Sequence, residues 1–222
     1  MNMRNVILAF ALCTVVPMAA QAEESIDERW NVDADAKISV ENVAGNIEIE
    51  GWDKNEVHLT GTLGDSVEEL EVDETGSGLQ ISVINRDERR IDETELKLRV
   101  PESAVITASA VSADIEISGM DNKKLTGSSV SGDVQVRATS QWVSLESVSG
   151  DVGFSGKTGR ISAESVSGDI ELSGISGSIE ATTVSGDMVL EASDMKSGKF
   201  ETVSGDIEVT TDMTGNGKLR AE

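Results

Sequence analysis

Residues 146–170 read ESVSGDVGFSGKTGRISAESVSGDI, and in them the phrase V-S-G-D followed by Val or Ile occurs twice, at Val148 and Val166. The phrase starts at Val111, Val130, Val148, Val166, Val184 and Val203, with Ala113 in place of Gly in the first copy and Met188 in the fifth place of the copy at Val184, so successive copies are spaced by 19, 18, 18, 18 and 19. A related VAGNI starts at Val43. A recurrence of this size marks stacked units, each unable to bury its own apolar face alone.

The residues around each copy set the frame. With the first Val as position 1, positions 5 and 7 are apolar: Val134/Val136, Val152/Phe154, Ile170/Leu172, Met188/Leu190 and Ile207/Val209. A second pair lies five and three residues before the next Val, at Val143/Leu145, Ile161/Ala163 and Ile179/Ala181. Val43 is framed the same way by Ile38/Val40 and Ile47/Ile49. Apolar residues alternating by two predict half-buried strands. Gly at position 3, and often at position 9, predicts corners where a missing Cβ permits unusual φ. Eighteen extended residues trace roughly 60 Å at about 3.3 Å each, the length of one turn of a small coil. Coils stacked about 4.8 Å apart would set Val on Val and Ile on Ile in a narrow continuous core. The expected fold is all-β, a parallel β-solenoid (β-helix) with one coil per repeat of about 18–19 residues. An antiparallel sandwich would also show frequent turn signals, but its strands face different neighbours and need no repeated pentapeptide.

The chain divides accordingly. Residues 101–222 carry the regular repeats, and 23–100 form a less regular N-terminal β region with a first coil-like repeat near 38–60. Between 64 and 100 apolar alternation returns at Val67/Leu70/Val72, Leu79/Ile81/Val83 and Leu96/Leu98/Val100, interrupted by a charged run from Arg86 to Glu95. Whether this stretch continues the coil or forms hairpins is open at this point.

Residues 1–22 read as a cleaved signal peptide: Arg4, an apolar run from Asn5 to Val16, then Pro17 and a small-x-small Ala20-Gln21-Ala22 site. The run is too short for the roughly 20 apolar residues of a membrane span. Cys13, the one cysteine, lies inside it and follows Phe10-Ala11-Leu12 rather than the small residues of a lipoprotein site. The mature chain, expected to start at Glu23, then has no thiol, disulfide or integral membrane segment. Removing Arg4 from 18 basic residues leaves 17 against 41 acidic ones, a formal charge of −24. Such a surface repels nucleic acid and anionic lipid and favours solubility and cation binding. Three Phe, three Trp and no Tyr argue against an aromatic-lined carbohydrate cleft.

Three stretches carry a family resemblance: VENVAGNIEIEGWDKNEVHLTGTLG (40–64), LKLRVPESA (96–104) and the VSGD[IV] array. With these the chain resembles a bacterial family of exported β-strand-repeat proteins of unknown function, often labelled candidate adhesins. The resemblance covers nearly the whole mature chain and implies a β-helical fold in the cell envelope. It carries over no catalytic residues.

The candidate chemistry begins with a column of carboxylates, Asp114, Asp133, Asp151, Asp169, Asp187 and Asp206. Oxygen ligands in a ladder could bind Ca²⁺ or another hard cation. The plainer reading is that each Asp caps a backbone N–H at its own corner. The hydroxyls flanking each Val (Ser129/Ser131, Ser147/Ser149, Ser165/Ser167, Thr183/Ser185, Thr202/Ser204) read as outward files that recognise a regular polysaccharide, or as turn chemistry. His58 is the sole imidazole, which leaves no set of His metal ligands, and no nucleophile-elbow G-x-S-x-G is present. Arg137 and Arg160 occupy different positions of their rungs. Trp30 and Trp52 suggest an N-terminal cap, and Trp142 is expected to point outward. No catalytic residue and no cofactor is assigned. The reading is a non-enzymatic structural or interaction module, adhesin-like, whose partner is an envelope protein or polysaccharide. Its rivals are a cation- or glycan-binding module using the Asp and Ser columns, and a carbohydrate-active β-helix enzyme. With no translocator barrel or sorting signal read, periplasmic residence is expected, with extracellular or surface exposure as the alternatives.

Overall fold

The computed structural model describes residues 24–86, 91–212 and 218–221; the segment read as a signal peptide lies outside them. The described residues form one 13-stranded, largely parallel sheet. Among them no helix is long and apolar enough to cross a membrane.

The regular part is a solenoid-like stack. Strands β7 (Val105–Ser129), β8 (Val134–Ser147), β9 (Val152–Glu164), β10 (Ile170–Ser185) and β11 (Met188–Ser204) pair in parallel, each with the next. The short β12 (Ile207–Thr211) and β13 (Lys218–Ala221) close the series on β11. The register equals the repeat period: Ile115 faces Val134, Val134 faces Val152, Val152 faces Ile170 and Ile170 faces Met188. Both alternating pairs point inward as the spacing requires, and Ile117, Val136, Phe154, Leu172 and Leu190 are all at most 2% exposed. Each such side chain contributes about 1.5–3 kcal/mol by leaving water. Where a rung departs from the pattern its neighbours compensate. Gly198 takes an inward place beside Phe200, and a Cβ there would meet the Phe200 ring at 2.6 Å. The pair Ile207/Val209 is only half-buried, and among the described residues no strand pairs with the outer side of β12.

Spatial order departs from chain order at the N-terminal end. Strand β2 (Lys37–Trp52) stacks directly on β7, with Ile47 opposite Ile115, so the VAGNI copy is a rung of the same stack. On its other side β2 pairs in parallel with β5 (Gly78–Asn85) through Lys37–Glu41, and with β6 (Thr94–Pro101) through Gly45–Trp52. Segments 78–82 and 94–101 together act as the rung outside β2. The remaining strands are antiparallel: β4 (Val67–Thr75) hairpins on β5, β3 (Glu56–Leu63) lies along β6, and β1 (Glu24–Asn31) lies along β3. The stretch from 64 to 100 therefore contributes both to a rung and to a hairpin. Trp30 sits half-buried against the core on the edge strand β1, and Trp52 Nε1 donates to Glu56 O at 2.8 Å in the turn before β3.

Two expectations are corrected at the corner. Val111, Val130, Val148, Val166, Val184 and Val203 are not buried; the first five are 43–49% exposed, and Val203 82%. Strict alternation fails there, because Val166 and Ser167 both face out before Gly168 turns in. A β-branched residue still suits this extended backbone. The position-3 glycines of the VSGD copies also serve a different purpose, since none of them lies in the left-handed region. A Cβ on Gly150 would stand 2.1 Å from Gly132 O, and one on Gly168 would stand 2.0 Å from Gly150 O. Gly is required because the adjoining rung's backbone passes through the space of a side chain. Positive φ occurs instead in the VAGNI copy, at Gly45 (110°), and at position 9, at Gly119 (70°) and Gly174 (76°), where the coil bends.

Candidate functional site

The hydroxyl before Val130, Val148, Val166 and Val184 is buried rather than outward, and Thr202 before Val203 is half-buried. Ser147 Oγ accepts the Gly150 N–H of its own corner at 2.9 Å and donates to Gly132 O of the preceding rung at 3.1 Å. Ser165 does the same with Gly168 N and Gly150 O, and Ser129 with Gly132 N and Ala113 O. Thr183 and Thr202 donate to Gly168 O and Gly186 O. Hydroxyls so engaged satisfy corner backbone groups that would be costly to bury unpaired. The hydroxyl after each Val, at Ser131, Ser149, Ser167, Ser185 and Ser204, is the exposed one.

The Asp column also works between rungs, not within its own corner. Asp114 Oδ1 accepts from Asp133 N at 2.9 Å. Asp133, Asp151, Asp169 and Asp187 accept in turn from Asp151 N, Asp169 N, Asp187 N and Asp206 N, each at 2.8 Å. At the roughly 4.8 Å rung spacing, two neighbouring carboxylates in water repel by about 0.9 kcal/mol. At an effective dielectric of about 20, as near a protein surface, the repulsion rises to about 3.5 kcal/mol, and the hydrogen bond each carboxylate accepts, contributing about 1.5–3 kcal/mol, offsets much of it. Among the described residues no group of three or more His, Cys, Asp or Glu is arranged to hold a metal ion.

His58 lies in the N-terminal cap. Its Nε2 is 2.9 Å from Asp27 Oδ1 and 3.0 Å from Arg29 Nη2, and its ring stacks on Trp52 at 6.3 Å between centroids. The cluster is drawn from β1, β3 and the last residue of β2, away from the VSGD corners.

The outward faces differ from one another. On the first face, Glu116, Gln135, Gly153 and Glu171 form one file and line a depression of about 250 Å³, with the Gln135 amide lying over Gly153, where a Cβ would meet its Oε1 at 2.0 Å. Arg137 lines it and pairs with Glu116 at 3.6 Å. On the second face three outward files run side by side. Ser128, Glu146, Glu164, Thr182 and Glu201 form the file next to the Val corner. Thr126, Ser144, Ser162, Glu180 and Lys199 form the middle one. Lys199 is bracketed by Glu201 and Glu180, both at 3.1 Å, and hydrogen bonds to them, Glu201 first, raise its pKa above the ordinary lysine value. The third file, beside the bend, is Lys124, Trp142, Arg160, Ser178 and Ser197. Trp142 points outward as its alternation requires, 47% exposed, with Lys124 Nζ 5.4 Å from its ring centroid. Reading Arg160 against Arg137 conceals this group. The signal that finds it is the spacing of 18 from Lys124 to Trp142 and again to Arg160.

The chain is similar in structure to three crystal structures of candidate adhesins. One is from Bacteroides fragilis (TM-score 0.49, 16% identity, covering 90% of this chain and 98% of that one). The second is from Parabacteroides distasonis (0.46, 13%, 90% and 98%) and the third from Parabacteroides merdae (0.45, 12%, 90% and 96%). No curated protein matches the chain. The family model for Toastrack DUF4097 matches residues 35–222, from just before β2 through the last repeat, and this chain belongs to that family.

Proposed function

We propose that this protein is an exported, non-enzymatic β-solenoid that serves as an adhesin-like structural or interaction module of the bacterial cell envelope, resident in the periplasm. The observation that carries the reading is where the polar chemistry of the repeat goes. The recurring Ser, Gly and Asp hold one rung to the next, through Ser147 to Gly132 O and Asp133 to Asp151 N for example. What remains for function is the set of long outward files, a surface suited to extended contact with a partner.

The depression over Gly153 does not have the geometry of a glycosidase. Glu116 and Glu171 stand three rungs apart in their file, about 14 Å at 4.8 Å per rung. Paired catalytic carboxylates need about 5–9.5 Å. Coils as short as the repeat also leave no insertion to wall a cleft.

The test is fractionation followed by affinity capture from envelope extract, with mass spectrometry of the recovered bait. The mature chain should begin at Glu23, fractionate with the periplasm and retain a reproducible envelope component. A cytoplasmic chain still beginning at Met1, or one that degrades a polysaccharide at enzymatic rates, would overturn the proposal.

A further inference from the structure

The molecule carries a formal charge of −23, yet at the bend that leads into the second face its charge is locally reversed. Lys124, Trp142 and Arg160 occupy equivalent positions of three successive rungs. Just before them in the chain, Lys123 and Lys157 line a depression of about 520 Å³ together with Thr139, Gln141 and Ser176. Two carboxylates line the same depression: Asp121, and Asp35, whose Oδ2 is 3.9 Å from Lys123 Nζ. No described carboxylate forms an ion pair with Lys124, Lys157 or Arg160. Four cations thus face two acids on a body that is elsewhere strongly acidic.

We propose that this strip binds an acidic polysaccharide, deepening and resting on the reading that the outward files contact an envelope partner. An exposed indole offers an apolar face on which the C–H side of a sugar ring can lie, with a polar edge left in water. Lys124 and Arg160 flank that indole two rung spacings apart, about 9.6 Å, a span comparable with two adjoining sugar rings. They are placed to take a carboxylate or phosphate on either side of a stacked ring, and the planar guanidinium of Arg160 suits such a group bidentately. The neighbouring file supplies hydroxyls at Thr126, Ser144 and Ser162, and Ser178 continues the Lys124–Trp142–Arg160 file with another. These match the alternating hydroxyl and acid groups of a charged glycan.

Other polyanions fit less well. Duplex DNA, with one charge per about 1.7 Å of helix axis, would meet the acidic remainder of the surface. An anionic membrane would press its headgroup plane against Asp35 and Asp121 as well as the lysines. The acidic surroundings confine a flexible polymer to the strip, because misplacement brings like charges together.

The experiment is calorimetric titration of the mature protein with size-defined polygalacturonate oligomers, beside neutral dextran and phosphatidylglycerol vesicles. The native chain should bind the oligomers with a change in Trp142 fluorescence, more weakly as salt rises, and should bind neither dextran nor vesicles. Trp142→Ala and the double variant Lys124→Glu/Arg160→Glu should each weaken binding at least tenfold. Arg137→Glu, on the other face, should leave it within twofold. All these positions are exposed, and unchanged melting curves will show that the variants fold. Absence of oligomer binding, an equal loss in Arg137→Glu, equal dextran binding, or binding to vesicles instead would each overturn the proposal. If the affinity capture from envelope extract is unaffected by Lys124→Glu/Arg160→Glu, the strip is refuted as the contact surface while the interaction reading stands.

Discussion

Replacing Gly150 with Ala tests whether the corner glycines answer to contact rather than to backbone conformation. A Cβ at this position would lie 2.1 Å from Gly132 O, 2.5 Å from its carbonyl carbon and 2.9 Å from Asp133 N. All three are backbone atoms of the preceding rung, so no rotamer relieves the clash. Ordinary contact begins at 3.4 Å. The corner must therefore open by roughly 1 Å or more to restore van der Waals separation. Four bonds between rungs cross that gap: Ser149 N to Val130 O at 3.0 Å, Val134 N to Asp151 O at 2.9 Å, Ser147 Oγ to Gly132 O at 3.1 Å and Asp151 N to Asp133 Oδ1 at 2.8 Å. Stretched by that amount, none remains a hydrogen bond. Three neutral bonds and one to a carboxylate contribute together about 3–7.5 kcal/mol, a large share of an ordinary domain's stability of about 5–15 kcal/mol. The assay is urea denaturation followed by circular dichroism. Gly76→Ala is the control, since a Cβ there would have nothing within 4 Å, and it should stay within about 0.5 kcal/mol of the native chain. Gly205→Ala meets Gly186 O at 2.1 Å as well, but among the described residues no strand pairs with the outer side of β12, so fewer bonds between rungs are strained and its loss should be smaller. Equal losses at positions 76 and 150, or a Gly150→Ala loss below about 1 kcal/mol, would refute the contact argument.

The two serines beside Val166 should behave oppositely: Ser165→Ala strands the Gly168 N–H and Gly150 O and should cost about 1–3 kcal/mol in the same assay, whereas exposed Ser167→Ala should stay within about 0.5 kcal/mol. Ile170→Asp, which places a carboxylate among fully buried neighbours, should abolish cooperative unfolding, as read by calorimetry. Asp151→Ala removes the acceptor of Asp169 N and should destabilise more than Asp151→Asn, which keeps an acceptor and relieves repulsion on both sides. Monovalent salt should raise the melting temperature of the native chain, and Ca²⁺ at equal ionic strength should add little. A saturable, sub-millimolar rise with Ca²⁺ that disappears in Asp151→Asn/Asp169→Asn would instead establish a cation site.

The period and the inward pairs were legible because burial imposes a rule that repeats: a residue that must pack on its copy one rung away is the same kind of residue in each rung. Three features escaped that rule. The exposed Val file did so because the corner sets two consecutive residues outward, and composition alone cannot mark where alternation breaks. The purpose of Gly150 did so because a glycine demanded by a neighbour's carbonyl looks the same in sequence as one demanded by φ. The rung made from β5 and β6 did so because it stacks outside β2 although it follows β2 in the chain, a placement set by long-range pairing. The strip at Lys124, Trp142 and Arg160 was hidden differently. Its spacing matches the repeat, but its residue types change from rung to rung, so recurring identity does not reveal it.

That change of type bears on function. Stacking alone favours opposite charges in successive rungs, and the structure does this where stability is served: Lys97 meets Glu48 at 3.3 Å, Arg99 meets Glu50 at 2.9 Å and Lys199 meets Glu180 at 3.1 Å. Such exposed pairs contribute about 0.2–1 kcal/mol each. The second face does the reverse near its two margins. Glu146 and Glu164 lie in register beside the Val corner, and Lys124 and Arg160 lie on either side of Trp142 beside the bend. Interchanging Arg160 and Glu164 would place opposite charges next to each other in the acidic file, at no cost to the buried frame. In the rungs of β7 to β9, before Lys199 pairs with Glu180 and Glu201 further along the same face, an arrangement that forgoes this gain and keeps acid at one margin and base at the other does not follow from the stability of the stack. It does follow if that face must present a positive margin and a negative margin to the same elongated partner, because the sorted charges then fix which way round and how far across the face that partner lies.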